Sequence, residues 1–531
     1  MTPGDSTSAD PTPMDPTVAS AGGEDPTGQD GGTRDHRDEP TQDDDRTIAT
    51  SGIGRLSHSL LVAVVAAAAG VVTFVASYPM GLVDDDVTNL RLVDGAASFL
   101  DPLLYPVFFT QVAPGHRLLS MLQVAVGPLD RVVLHAVVAA MVALCVVVGS
   151  AIMRHMYGRQ VWGPVVVGLA LVSPAVIQAN VWYASAHHQT PSLLFGLAAV
   201  WAWLVHRERG GRRWLLLSVV LVGCGLAFSV RAALAVVFML LAEHVLFTPT
   251  PLGDVPGRVW AARRTWLPYL VPLFVYWQVN RAAGTLDVGA DAGLVVAAIA
   301  RGVVEVFVPL LFGLRTAVDA SGEVTTPTEV VLLAHALLAV VVVLLARRRR
   351  DAWRGIGVAL VMVVVGLGLS TAARSAVLGS VSGLTLRYHM EPLVYAAMAL
   401  PWALRGRRDQ QVSGWLDRPL VPRATTTSAV ALAVGVVAAT TWSGLAVVDA
   451  FPGAASARWL EAVAASADDA GPTLVLDGPL DAAVQPNFPR RRFNDVAWLY
   501  EDVDVGLATP TGVDDLEVVT VNGSIEPLRT E

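Results

Sequence analysis

From Leu56 to Tyr78 the chain is apolar, and His58 is the only side chain in the run that can carry charge. The run is long enough to cross a hydrocarbon core roughly 30 Å thick as a helix. Comparable runs recur at about 130–153, 160–178, 191–206, 214–230, 233–247, 266–280, 328–346, 354–372, 388–404 and 427–449, which makes about eleven with the first. Backbone groups inside lipid must be satisfied within their own segment, so such a chain is confined to a helical bundle. Composition agrees: 53% of residues are hydrophobic and only 16% are charged. The expected fold is an all-α polytopic membrane protein, not a soluble domain with one anchor.

The net charge of −9 belongs to the N-terminal tail. Residues 1–50 hold twelve acids against Arg34, Arg37 and Arg46, and the remainder is balanced. That tail of Asp, Pro, Thr and Gly has almost nothing to bury and is expected to be disordered. The first apolar run begins only after it, which fits a retained membrane helix and not a signal peptide. Lys is absent, so Schiff-base chemistry and a P-loop lysine are excluded. Cys145 and Cys224 both lie in apolar runs and imply no disulfide framework. Spaced Cys/His zinc patterns and internal repeats are absent, and nothing calls for a nucleic-acid partner.

Orientation follows from the arginines. Arg154/Arg159, Arg207/Arg209/Arg212/Arg213, Arg258/Arg263/Arg264, Arg347–Arg350/Arg354 and Arg405/Arg407/Arg408 all fall on one side if the N-terminus is cytoplasmic. The transmembrane domain is then 51–449, with a first extracytoplasmic loop at 83–129 and a long one at 281–327. The apolar stretch 293–314 carries Arg301 and Glu305 and reads as an amphipathic or re-entrant helix. Residues 450–531 have soluble character and are expected to form a small extracytoplasmic α/β appendage. In it, Ala454–Ala465 reads as an amphipathic helix with Trp459, Leu460 and Val463 on one face, and Thr473–Leu476 and Leu516–Val521 as strands.

With that topology the remaining polar outliers gather outside. Val83-Asp84-Asp85-Asp86-Val87 follows the first span, and His116-Arg117 lie in the same loop. His187-His188 fall in the turn between the third and fourth spans, Arg231 in the turn between the fifth and sixth, and Arg387-Tyr388-His389-Met390-Glu391 at the start of the tenth. Three adjacent carboxylates repel one another, so at least one should hold its proton more tightly unless a metal or an arginine neutralises the cluster. Each feature has a plain account: a solvated acidic cap, a polar turn, a helix cap, arginines snorkelling to headgroups. Jointly they suit a charged lipid meeting an outer acceptor, since the arginine fork makes bidentate, charge-assisted bonds to phosphate.

These residues carry a family resemblance. The acidic triplet after the first span resembles the hallmark of the GT-C glycosyltransferases, which use polyprenyl-phosphate sugars as donors. Gly115-His116-Arg117-Leu118-Leu119-Ser120, Ser173-Pro174 and Trp182-Tyr183-Ala184-Ser185 extend the likeness. Leu386-Arg387-Tyr388-His389 is similar to a late element of protein O-mannosyltransferases of the dolichyl-phosphate-mannose type. Val230-Arg231 departs from the Lys-Glu pair of some relatives. The resemblance implies a plasma-membrane enzyme that transfers sugar, with inversion, from a polyprenyl-phosphate donor to an extracytoplasmic glycan, lipid or protein. Asp85 or Asp84 is then the base, and Asp86 positions it or holds a divalent cation such as Mg or Mn. Arg387 and Arg231 bind phosphate, with His116, Arg117, His187, His188 and Tyr388 in support. A transporter or flippase for a lipid-linked or charged substrate, and a membrane acyltransferase, are the competing classes. A transporter would place charges near mid-span in broken-helix repeats, whereas here they sit at helix ends.

Overall fold

The computed structural model describes residues 51–83, 85–107, 111–160, 162–285, 291–314, 316–319, 322–348, 352–372, 374–405, 442–451 and 453–470, residue 499, and the strand segments 473–476, 505–508, 517–519 and 525–527. Of the N-terminal unit Met1–Gly54 only Ser51–Gly54 are described, and everything below concerns Arg55–Glu531. The expected disordered tail, Asp84 and most of the last expected span lie outside the described residues.

Six helices among the described residues are long and apolar enough to cross a membrane. They lie in α1 (Ser51–Ser77), α4 (Arg131–Tyr157), the run Val230–Phe247 that contains α9 (Ala233–Leu241), the run Ala292–Leu311 that opens with α11 (Ala292–Arg301), α12 (Thr328–Arg348) and α13 (Ala352–Thr371). A seventh is made by α5 (Trp162–Leu171) and α6 (Pro174–Val181) if the bent pair is one span. The chain is an α-helical, multi-pass membrane protein. The 47° bend of the pair falls at Ser173-Pro174. Proline disfavours helical geometry in the residue before it, and Ser173 is extended at φ −64°, ψ 156°.

Four other expected spans are helical: α7 (Tyr183–Arg209), α8 (Arg212–Leu226), α10 (Arg263–Ala282) and α14 (Met390–Ala399). α7 begins at Tyr183, eight residues before the expected start at 191. Its first turns carry Ser185, His187, His188, Gln189 and Thr190, which no lipid-facing helix would tolerate. All five are buried in protein, so the polarity that hides the helix from a hydropathy reading marks an interior surface. Ala292–Leu311 likewise has the length and composition of a span. Its two charges offset each other, Arg301 Nε donating to Glu305 Oε1 at 2.8 Å one turn on.

α7 is the axis of the core. Leu193, Leu197, Val200, Trp203 and Leu204 pack with Val142 and Val146 of α4, Phe238 and Met239 of α9, Met362 and Val363 of α13 and Tyr395 of α14. Lipid tails are as apolar as leucine, so van der Waals fit, not transfer from water, stabilises these contacts. The expected loop 83–129 contains α2 (Asp85–Asp94), a two-stranded hairpin of β1 (Pro106–Val107) and β2 (Gln111–Val112), and α3 (Pro114–Val126). A second hairpin, β3 (Ala317–Val318) and β4 (Val324–Thr325), precedes α12.

After 442–450, which are helical, α15 (Gly453–Ala470) precedes a four-stranded sheet in the order β6-β5-β7-β8. Its strands are β5 (Thr473–Leu476), β6 (Val505–Ala508), β7 (Glu517–Val519) and β8 (Ile525–Pro527). β6-β5-β7 run parallel and β8 closes the edge antiparallel, which makes the appendage α/β. Trp459, Leu460 and Val463 are buried on one face of α15, against Leu82, Val87, Leu90 and Leu134. The appendage helix therefore packs on the loop that carries the acids. Gly81 N donates to Gly453 O at 2.8 Å, Ser456 Oγ donates to Leu82 O, and Arg131 pairs with Glu461. A Cβ on Gly81 would stand 2.7 Å from the Ala457 backbone, so only glycine allows this approach.

Candidate functional site

Asp86 is fully buried in the first turn of α2. Val83 N donates to its Oδ2 at 2.8 Å, which closes the turn on itself. Ala184 N donates to its Oδ1 at 2.7 Å across 98 residues. Acidic oxygens at a helix start meet unsatisfied N–H groups and the positive end of the dipole, so this carboxylate fastens the acidic turn to the start of α7. Asp85 lies in the same helix turn, but its side chain, like all of Asp84, lies outside the described residues.

Two residues before Ala184, the Trp182 ring lies 4.2 Å beneath the Arg387 guanidinium. One turn of chain, 182–184, thus holds the acidic segment on one side and the arginine cluster on the other. That cluster converges on Tyr388: the guanidinium carbons of Arg374, Arg231 and Arg387 stand 4.7, 5.1 and 5.2 Å from its ring centre. Arg231 projects from a 3-10 turn, Val230–Ala232, and Arg387 and Tyr388 from another, Leu386–His389. Arg231 Nη1 donates to Glu391 Oε2 at 3.3 Å, both side chains being buried. Its Nη2 has no protein partner among the described residues.

Histidines connect the two halves. The His116 ring lies 6.1 Å from both His187 and His188, and His187 stacks on Tyr183 at 4.1 Å. His188 Nδ1 donates to Ala184 O at 2.6 Å. Neither nitrogen of His116 or His187 has a protein partner among the described residues, and the same holds for the amide of Gln178. Such groups, buried without bonds, are uncommon outside functional sites. Burial first, then the neighbouring His187, His188 and Arg117, hold His116 well below the usual histidine range. It is neutral at pH 7 and can both donate and accept. His187 and His188 were expected in a turn, but they sit in the helix one turn past it, because the chain re-enters the helix at Tyr183.

Arg117 has a separate task. Its Nη1 donates to Asn89 Oδ1 at 2.8 Å and its Nη2 to Pro106 O at 3.1 Å. Burial pushes its guanidinium pKa down to about 10. It ties α3 to α2 and β1, and so holds the helix that bears the acids.

Arg374, Glu391, Gln178 and Gly322 were not singled out for roles from the sequence. Arg374 shows the same signal as Arg231, an arginine just past an apolar run, but its neighbours give it no motif. Gly322, at φ +81°, lies in the turn between β3 and β4, and a Cβ there would collide with Gln178 Nε2 and stand 3.1 Å from Arg387 Nη1. Leu386 N donates to Gly322 O at 3.1 Å, so this hairpin covers the arginine cluster. The neighbouring Glu323 is held above the usual carboxylate range by burial and by Asp319, with Arg301 and Arg387 opposing.

No three His, Cys, Asp or Glu side chains gather to hold a metal ion among the described residues, and both Asp86 oxygens accept from backbone amides.

No protein-family model matches the chain, and no curated protein does. Among solved structures, it is similar to a crystal structure of ArnT from Cupriavidus metallidurans bound to undecaprenyl phosphate. The identity is 14% and the TM-score 0.45, over 85% of this chain and 89% of that one.

Proposed function

We propose that this protein is a membrane glycosyltransferase of the GT-C type that transfers a sugar, with inversion, from a polyprenyl phosphate to an extracytoplasmic acceptor. The observation that carries the reading is the set of three arginines around Tyr388, with Glu391 paired to Arg231. Glu391 pairs with Arg231, and Arg374 and Arg387 gather beside the same buried aromatic ring.

A polyprenyl-phosphate sugar is a phosphodiester with one negative charge. When the bond from the anomeric carbon to the phosphate oxygen breaks, its electron pair stays on that oxygen and the phosphate gains a second charge. Guanidiniums gathered at one ring therefore favour the departing phosphate over the bound donor, and that difference is what accelerates a reaction. On the other side, the carboxylate of Asp85 or Asp84 takes the proton of the acceptor hydroxyl as its oxygen bonds to the anomeric carbon. Asp86 is the positioning residue that holds this carboxylate against α7, and Trp182 fixes Arg387 from the same turn. His116, His187 and His188 lie between the two halves, where neutral imidazoles can bond sugar hydroxyls. The sequence motifs of the acidic triplet, Gly115-His116-Arg117 and Leu386-Arg387-Tyr388-His389 support the same assignment.

The test is incubation of the purified chain with a panel of polyprenyl-phosphate sugars and candidate acceptors, following donor consumption. Release of polyprenyl phosphate that depends on Arg374 and Arg387 supports the reading. Donor binding without turnover under any acceptor would point instead to transport of a lipid-linked substrate.

A further inference from the structure

α7 runs for 27 residues, so Tyr183 and Arg207 are about 36 Å apart at 1.5 Å per residue. Around Arg207, at the end remote from the arginine–tyrosine cluster, lies a cavity of about 530 Å³. That is within the roughly 300–1,000 Å³ of small-molecule sites. It is an open cleft lined by the last turns of α7, the π-helical turn Ala242–Phe247 and the chain from Arg258 to Trp266. Single π turns inside helices are frequent at functional sites.

The wall is aromatic and the polar groups are basic. Trp203 and Trp266 lie 6.3 Å apart, ring to ring. The acid on the wall, Glu243, is already engaged: Arg207 Nε donates to its Oε2 at 2.7 Å and Thr248 Oγ1 to its Oε1 at 3.1 Å. Arg207 also lies over the Phe247 ring at 4.4 Å. The exposed Arg258 at the mouth makes no ion pair among the described residues. His244, in the π turn, is 7% exposed, and neither ring nitrogen has a partner among the described residues. His206 Nδ1 donates to Gly211 O at 3.1 Å beside the same cavity.

We propose that this cavity is a second, phosphate-binding site. Arg258, with the imidazole of His244, takes the phosphate oxygens, and the Trp203–Trp266 wall takes the organic part of a phosphoester. A guanidinium that makes no ion pair among the described residues, next to the unpartnered His244 imidazole, selects an anion, and the fork of arginine suits phosphate. The same chemistry is offered by a phospholipid headgroup and by a soluble phosphate compound.

The experiment uses the full chain in a neutral detergent, with phosphatidylglycerol and inorganic phosphate as probes. Native mass spectrometry counts retained phosphatidylglycerol, and tryptophan fluorescence follows titration with inorganic phosphate. Arg258→Gln, at an exposed position, and the double variant Arg258→Gln/His244→Gln are compared with Arg209→Gln, exposed on the same surface but outside the cavity. Loss of one charge-assisted bond should weaken binding roughly tenfold in Arg258→Gln, and further in the double variant. Lipid retention that falls in these variants, and that phosphate does not displace, identifies a headgroup site. A fluorescence change with phosphate that weakens in the same variants identifies a site for soluble phosphate. Failure of the parent to bind either probe overturns the proposal. So does an equal loss in Arg209→Gln, or undiminished binding in a double variant that melts with the parent.

Discussion

Replacing Asp84, Asp85 and Asp86 one at a time by Asn should separate chemistry from architecture. Asp86 accepts from Val83 N at 2.8 Å and from Ala184 N at 2.7 Å in a fully buried position. Hydrogen bonds to a charged group contribute about 1.5–3 kcal/mol each. Asn keeps one carbonyl oxygen but turns an NH2 toward the other amide, so one bond is lost and one buried N–H is left unsatisfied. The expected cost is about 2–4 kcal/mol of stability. Asn at 84 or 85 should carry no such cost, since it relieves repulsion in the triplet. At the position of the base it should lower turnover by about 10²–10⁴-fold while donor binding persists. The assay is thermal unfolding in detergent at equal abundance, paired with hydrogen exchange at the Val83 and Ala184 amides. A loss of 2 kcal/mol should speed their exchange by roughly 30-fold if it opens them locally. An Asp86→Asn protein that melts with the parent and keeps both amides protected would refute the anchoring role. Full activity in all three variants would leave the mechanism without a base.

Arg387→Lys and Arg374→Gln should each weaken donor binding by roughly ten- to a hundredfold, about 1.5–3 kcal/mol, with melting unchanged; donor affinity equal to the parent in both would remove the phosphate role. Glu391→Ala should destabilise the protein by about 3–5 kcal/mol, because it strands Arg231, whereas Glu391→Ala with Arg231→Met should recover most of the loss in thermal unfolding. Gly81→Ala should loosen α15, since its Cβ meets the Ala457 backbone at 2.7 Å, and limited proteolysis of the C-terminal appendage should accelerate. A cysteine at the exposed Ser98 should label from outside with an impermeant thiol reagent and one at the exposed Gly210 should not; the reverse would invert the topology and move the proposed active site to the cytoplasmic face.

Local patterning in the sequence determined the membrane class and the amphipathic face of α15, because apolar length and helical period act within a few residues. It also brought out Asp84–Asp86, His116, Arg231 and Arg387 as polar outliers beside apolar runs, where ionisable groups are costly enough to be conspicuous. It misread α7, whose buried polar turns look like a loop when lipid is assumed to surround them, and it read 293–314 as amphipathic or re-entrant, where Arg301 and Glu305 offset each other one turn apart. Only the tertiary structure decided that Arg374 joins Arg231 and Arg387 at Tyr388. It alone showed that Arg117 is a tie to Asn89 and Pro106. It alone gave Asp86 its long-range partner, an amide 98 residues away. A side chain at a helix end looks the same in sequence whether it faces a headgroup, a solvent or another helix; what it does is set by the group that packing brings opposite it.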